Sequence, residues 1–124
     1  MKVMVVDDEK DIEILFRQKF RKEIQQGKIA FHFAFSAEEA IEYLQHNGTT
    51  ELVLILSDIN MPGLNGLELL NYIKKHYPKG PKVYMITAYG NDENHQLAVE
   101  YGCDEYLTKP IDFAELKEKI MSSI

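Results

Sequence analysis

The sequence predicts an α/β fold: one doubly wound (βα)5 domain built on a five-stranded parallel sheet. Three observations lead there. Five short, apolar, β-rich runs recur along the 124 residues. Each is followed by a stretch in which apolar residues return at helical spacing. The strands themselves read as near-continuous apolar runs rather than alternating ones, which is the pattern of a parallel sheet covered by helices on both faces.

Residues 3–6 form the first strand. From 11 to 26, Ile12, Leu15, Phe16, Phe20 and Ile24 recur on one helical face, and Gly27 ends that helix. Residues 29–35 are β-rich and aromatic, with Phe31, Phe33 and Phe35 on one face and His32 opposite, read as a packing residue. Ser36 and Glu39 have capping-box spacing, and the helix they open runs to about residues 47–48. Residues 52–57 are the third strand. After a loop over 60–66, a helix spans 67–77, and Pro78 and Pro81 bracket its stop. The fourth strand is 82–87 and the fourth helix 91–101, closed by Gly102. Residues 105–107 make the fifth strand. Asp112 and Glu115 form a second capping box opening the last helix, with Phe113, Leu116 and Ile120 on one side. Right-handed crossovers leave few topologies for this order, and the flavodoxin-like sequence 2-1-3-4-5 is the commonest.

Composition narrows the function. A net charge of −6 argues against nucleic-acid binding by this domain, since a phosphate backbone demands Lys and Arg. Cys103 is the sole cysteine and reads as a small buried hydrophobe, so an internal disulfide is excluded. The N-terminus lacks a signal-peptide pattern, and no apolar run approaches the ~20 residues of a membrane span. A cytoplasmic protein that does not engage membranes is expected. The scattered histidines offer no zinc-site spacing.

Such sheets bind ligands beyond the carboxyl ends of their strands. Strand 1 ends in Asp7 and Asp8, strand 3 in Asp58, strand 4 in Thr87, and strand 5 in Lys109-Pro110. Three crowded carboxylates repel, so they must protonate or take a cation. Mg²⁺, which binds carboxylates, waters and phosphate oxygens, resolves the conflict. One carboxylate is then free to act as a nucleophile toward a phosphoryl group. Lys109 would neutralise the transferring oxygens, and the Thr87 hydroxyl would hydrogen-bond one of them. Each residue alone has an ordinary reading as a turn, strand or surface residue; together at four strand ends they make a site.

The stretches VVDDE (5–9), SDINMPGLNG (57–66), MITAY (85–89) and YLTKPI (106–111) resemble the receiver domain of two-component response regulators, over nearly the whole chain. The resemblance implies that Asp58 accepts the phosphoryl group. It implies that Asp7, Asp8 and the backbone carbonyl of Asn60 join Asp58 in holding Mg²⁺, and that Lys109 pairs with the phosphoryl group. Thr87 and Tyr106 would form the conformational switch, and a cis peptide between Lys109 and Pro110 would aim the lysine. A sensor histidine kinase or histidine phosphotransfer protein would supply the phosphoryl group. The face built from predicted helix 4, strand 5 and predicted helix 5 would then bind a target or a second receiver. Ile14, off the apolar stripe of the first helix, is a candidate contact for the kinase. Tyr89, beside the switch threonine, would shield the acyl phosphate. Asn65 stands where many receivers carry Asp, and the first helix is longer than usual.

On this reading residues 1–124 are one receiver domain with no output domain, and the chain is a switch rather than an enzyme. A haloacid-dehalogenase-like phosphohydrolase is disfavoured because Asp7 and Asp8 are adjacent, no Asp stands two positions after Asp8, and no cap domain is present. A flavodoxin-like electron carrier is disfavoured by the acidic first loop. A phosphorylation-independent adaptor is disfavoured by the intact acceptor set.

Overall fold

The computed structural model describes residues 1–88 and 92–122. Tyr89 and Asn91, both invoked above, lie outside them. The order is β1 (Lys2–Val6), α1 (Asp11–Lys19), α2 (Arg21–Gln25), β2 (Ala30–Ala34), α3 (Ala37–Asn47), β3 (Leu52–Asp58), α4 (Gly66–His76), β4 (Lys82–Thr87), α5 (Asp92–Glu100), β5 (Glu105–Thr108) and α6 (Phe113–Ser122). The five strands pair in parallel in the order β2-β1-β3-β4-β5. This is the flavodoxin-like arrangement expected from the sequence.

Alternation along the strands splits the core in two. Val3, Val5, Leu54, Leu56, Tyr84 and Ile86 face α1, α2 and α6. Met4, Val6, Ile55, Val83 and Met85 face α3, α4 and α5. On the first face Phe16 meets Phe20, Phe31, Phe33 and Phe113 at centroid distances of 5.1–6.3 Å. His32, on the opposite face of β2, stacks on Tyr43 at 4.1 Å, a packing role.

The expected continuous helix over 11–26 is two helices. Its backbone leaves helical values at Phe20 (φ −107°, ψ 16°), whose ring is fully buried in the aromatic cluster. Hydrogen bonds from the Phe20 N–H to the Phe16 carbonyl and from the Ile24 N–H to the Phe20 carbonyl span the break, so the apolar periodicity continues straight through it. Helix caps follow local chemistry. Ser36 Oγ accepts from the Glu39 N–H, and Asp112 Oδ1 accepts from the Glu115 N–H. Among the described residues no helix is long and apolar enough to cross a membrane.

Candidate functional site

β1 and β3 are buried neighbours, so their carboxyl ends bring Asp7 and Asp58 side by side beneath the loops. Asp7 is 5% exposed and Asp58 6%, whereas Asp8 is open to solvent. One carboxylate oxygen from each of the three lies within 4.8 Å of the others. Asp7 Oδ1 accepts from the Glu9 N–H at 2.9 Å, which fixes the first loop. From the far side, Lys109 Nζ donates to Asp7 Oδ2 and Asp58 Oδ2, each at 3.4 Å. Lys109 is itself held by its backbone, whose N–H donates to the Thr87 carbonyl at 2.7 Å. The Lys109–Pro110 peptide is cis. Thr87 is fully buried at the end of β4.

The loop after β3 closes on the acceptor strand. The Ile59 N–H donates to the Ile86 carbonyl, and the Gly66 N–H donates back to the Ile59 carbonyl, both at 2.9 Å. Gly63 turns the loop with φ +75°. Asn65 caps α4 in a full capping box with Glu68. Gly66 then lies against the Asp58 and Ile59 backbone, where a Cβ would stand 2.8 Å from the Ile59 Cα and collide with the Asp58 carbonyl. The spacing of Asn65 and Glu68 was a legible capping signal. The need for glycine at 66 was not, because it arises from the approach of a distant backbone.

Charge at this edge is unbalanced. Burial, and then repulsion from Asp7, push the Asp58 carboxyl above its ordinary range, while Lys109 partly offsets both. Burial works against the Lys109 ammonium, yet Asp7 and Asp58 outweigh it and raise its pKa. Asp58 Oδ1 is buried and has no hydrogen-bond partner among the described residues. A buried carboxylate oxygen left open, facing two further carboxylates, fits a hard divalent cation that takes oxygen ligands. The structure thus brings together Asp7, Asp8, Asp58 and Lys109 in direct contact or ligand range, with Thr87 tied to Lys109 through the backbone. Tyr106 lies on β5 opposite Met85, on the sheet face that carries α5, and its hydroxyl is buried. Ile14 stands apart on α1 and is 61% exposed. A groove of about 570 Å³ lies between α4 and its neighbours, lined by Ile41, Leu64, Tyr72, Leu97 and Tyr101. Its lining includes none of Asp7, Asp8, Asp58 and Lys109.

Residues 3–121 match the family profile described as the response regulator receiver domain. The chain belongs to that family. Receiver domains are signalling switches of two-component systems rather than classical enzymes. Two curated relatives are the response regulator protein PilR of Pseudomonas aeruginosa and the response regulator RppA of Synechocystis. Each is 33% identical, over 99% and 97% of this chain respectively. The chain spans only 26% of the first and 49% of the second. A solved receiver domain protein from Clostridium thermocellum superposes with a TM-score of 0.85 at 28% identity, covering 99% of this chain and 93% of that one.

Proposed function

We propose that this receiver is a phosphorylation-activated switch whose acceptor is Asp58, loaded by a sensor histidine kinase or a histidine phosphotransfer protein. The observation that carries the reading is the Asp58 carboxylate. It is delivered by the central strand to the sheet edge, with Oδ2 on Lys109, Oδ1 open, and Asp7 and Asp8 within ligand range. Asp7, Asp8, Asp58 and the Asn60 carbonyl would hold Mg²⁺, which when bound neutralises and orients the phosphoryl oxygens.

The chain's own groups do the rest. An Asp58 oxygen attacks phosphorus. The new O–P bond forms as the bond to the donor breaks, and the donor keeps that electron pair. Lys109 moves its charge from the two carboxylates onto the phosphoryl oxygens. Thr87 donates its hydroxyl to one of them, and Tyr106 on β5 follows. The α5-β5-α6 face changes shape and presents itself to a target or to a second receiver. On this reading the exposed Ile14 on α1 meets the phosphodonor protein.

Acetyl phosphate with Mg²⁺ should add one phosphoryl group by intact mass, stable to acid and lost in alkali. Asp58→Asn and EDTA should each abolish it; undiminished labelling of that variant removes Asp58 as the acceptor. Ile14→Glu should slow transfer from the cognate kinase and leave acetyl phosphate labelling intact. Equal loss in both assays would mean a folding defect instead.

A further inference from the structure

α5 is lightly buried, as α1 is, with one fully buried residue among its described positions. That residue is Ala98, whereas α4 buries Gly66, Leu67, Leu69, Leu70 and Ile73. Val99 is 60% exposed. An element with so little apolar burial is free to shift at low cost, so individual side-chain ties decide where it rests. One such tie is visible. The exposed ring of His95, on α5, lies parallel to that of Tyr106, on β5, with centroids 4.5 Å apart and planes 14° from each other.

Tyr106 is half-buried with its hydroxyl inside, so the histidine ring covers a tyrosine that is already packed in. Tyr106 sits opposite Met85, two residues before Thr87 on β4, and shares its sheet face. The stack is made with the tyrosine hydroxyl inside, so an outward rotation of the ring would have to break or remake it. A surface histidine that merely rests on its neighbour would leave this balance untouched. The near-parallel geometry, joining this helix directly to β5, argues for more than that.

We propose that His95 is a positioning residue for the switch: its stack on Tyr106 holds the tyrosine packed in and ties α5 to the strand that carries the signal. This rests on the reading of Asp58 and Thr87 given above. An offset aromatic pair shifts a two-state ratio by roughly two- to ten-fold. A receiver biased in this way sits closer to its active arrangement before any phosphoryl group arrives, and needs less differential affinity to complete the change.

The test is NMR of the Tyr106 ring in the whole chain, first without ligand and then with Mg²⁺ and beryllofluoride as phosphoryl mimic. His95→Ala should move the ligand-free Tyr106 signals toward exposed values and weaken the apparent beryllofluoride affinity roughly two- to ten-fold. His95→Phe, which keeps a ring, should stay near wild type. In a Tyr106→Ala background, His95→Ala should have no further effect on α5. The proposal is overturned if His95→Phe behaves like His95→Ala, if Tyr106 is unmoved in His95→Ala, or if the α5 change is the same in both backgrounds. Absence of any beryllofluoride response around Asp58 in wild type would defeat the phosphoacceptor reading instead, and the ligand-free comparison would still decide the stack.

Discussion

β3 runs through the middle of the sheet with six of its seven residues buried, while β5 is a four-residue edge strand with none fully buried. β3 is gripped on both sides, by β1 and by β4; among the described residues β5 pairs with β4 alone. The first carries Asp58 and the second Tyr106. On the function proposed above, chemistry that needs atoms held to within a fraction of an ångström would sit on the buried central strand. Tyr106, the residue proposed to report the event, sits where the sheet ends, under α5. That reading would assign rigidity and responsiveness to different strands of one sheet, and β4, ending in Thr87, lies between them.

The largest effect should come from cutting that link. Thr87→Ala should still accept a phosphoryl group at Asp58 while losing most of the structural response. A hydrogen bond to a charged group is worth about 1.5–3 kcal/mol, or roughly ten- to a hundred-fold in the ratio of states. NMR with and without beryllofluoride reads this directly. Full movement of Tyr106 and α5 in the variant would show that β3 and β5 communicate without Thr87.

Next comes the rigid side. Gly66→Ala at the start of a helix would ordinarily stabilise by about 0.5–1 kcal/mol. Here the new methyl would press on the Asp58–Ile59 backbone, so the change should destabilise by about 1–3 kcal/mol and lower the urea midpoint. A neutral or stabilising result would mean the acceptor strand has slack.

The smallest effect concerns the charge on Asp58. Its folded-state pKa is raised, so its contribution to stability is fully present in acid and is lost as pH rises through that raised value. Asp58→Asn should therefore melt about 2–4 °C above wild type near neutral pH, with the difference shrinking as pH falls through the raised value. An unchanged or lower melting point at neutral pH would show that the open carboxylate carries no strain. Wild-type labelling should decline over the same acid range, because the protonated acid is a poor nucleophile.

How much of this was legible beforehand follows from what each residue depends on. The strands, their order and the residues at their ends came from local patterns: apolar runs, caps, and the rule that sites form beyond strand ends. Asp7, Asp8, Asp58, Thr87 and Lys109 were all assigned to one edge because each terminates a strand. The break at Phe20, the crowding at Gly66 and the stack of His95 on Tyr106 were not legible. Each arises from contact between segments distant in sequence, and no window of neighbouring residues contains that information. Asn65 is an intermediate case. It was noted only as a departure from a common Asp, yet its hydrogen bond to the Glu68 N–H shows an amide capping α4 as a carboxylate would.

The order in which the chain is made gives the three carboxylates one more consequence. Asp7, Asp8 and Asp58 all belong to the first 58 residues, whose strands β2, β1 and β3 are adjacent in the finished sheet. Their ammonium partner follows β5 and is synthesised some 50 residues later. Before Lys109 is made, and without a bound cation, a half-built molecule would gather three like charges, so the early strands would gain little by settling alone. The last strand brings the counter-charge as well as the final edge of the sheet. Electrostatics would then act as a clasp that favours all-or-none closure, and would discourage a nascent fragment from persisting as a separate folded piece.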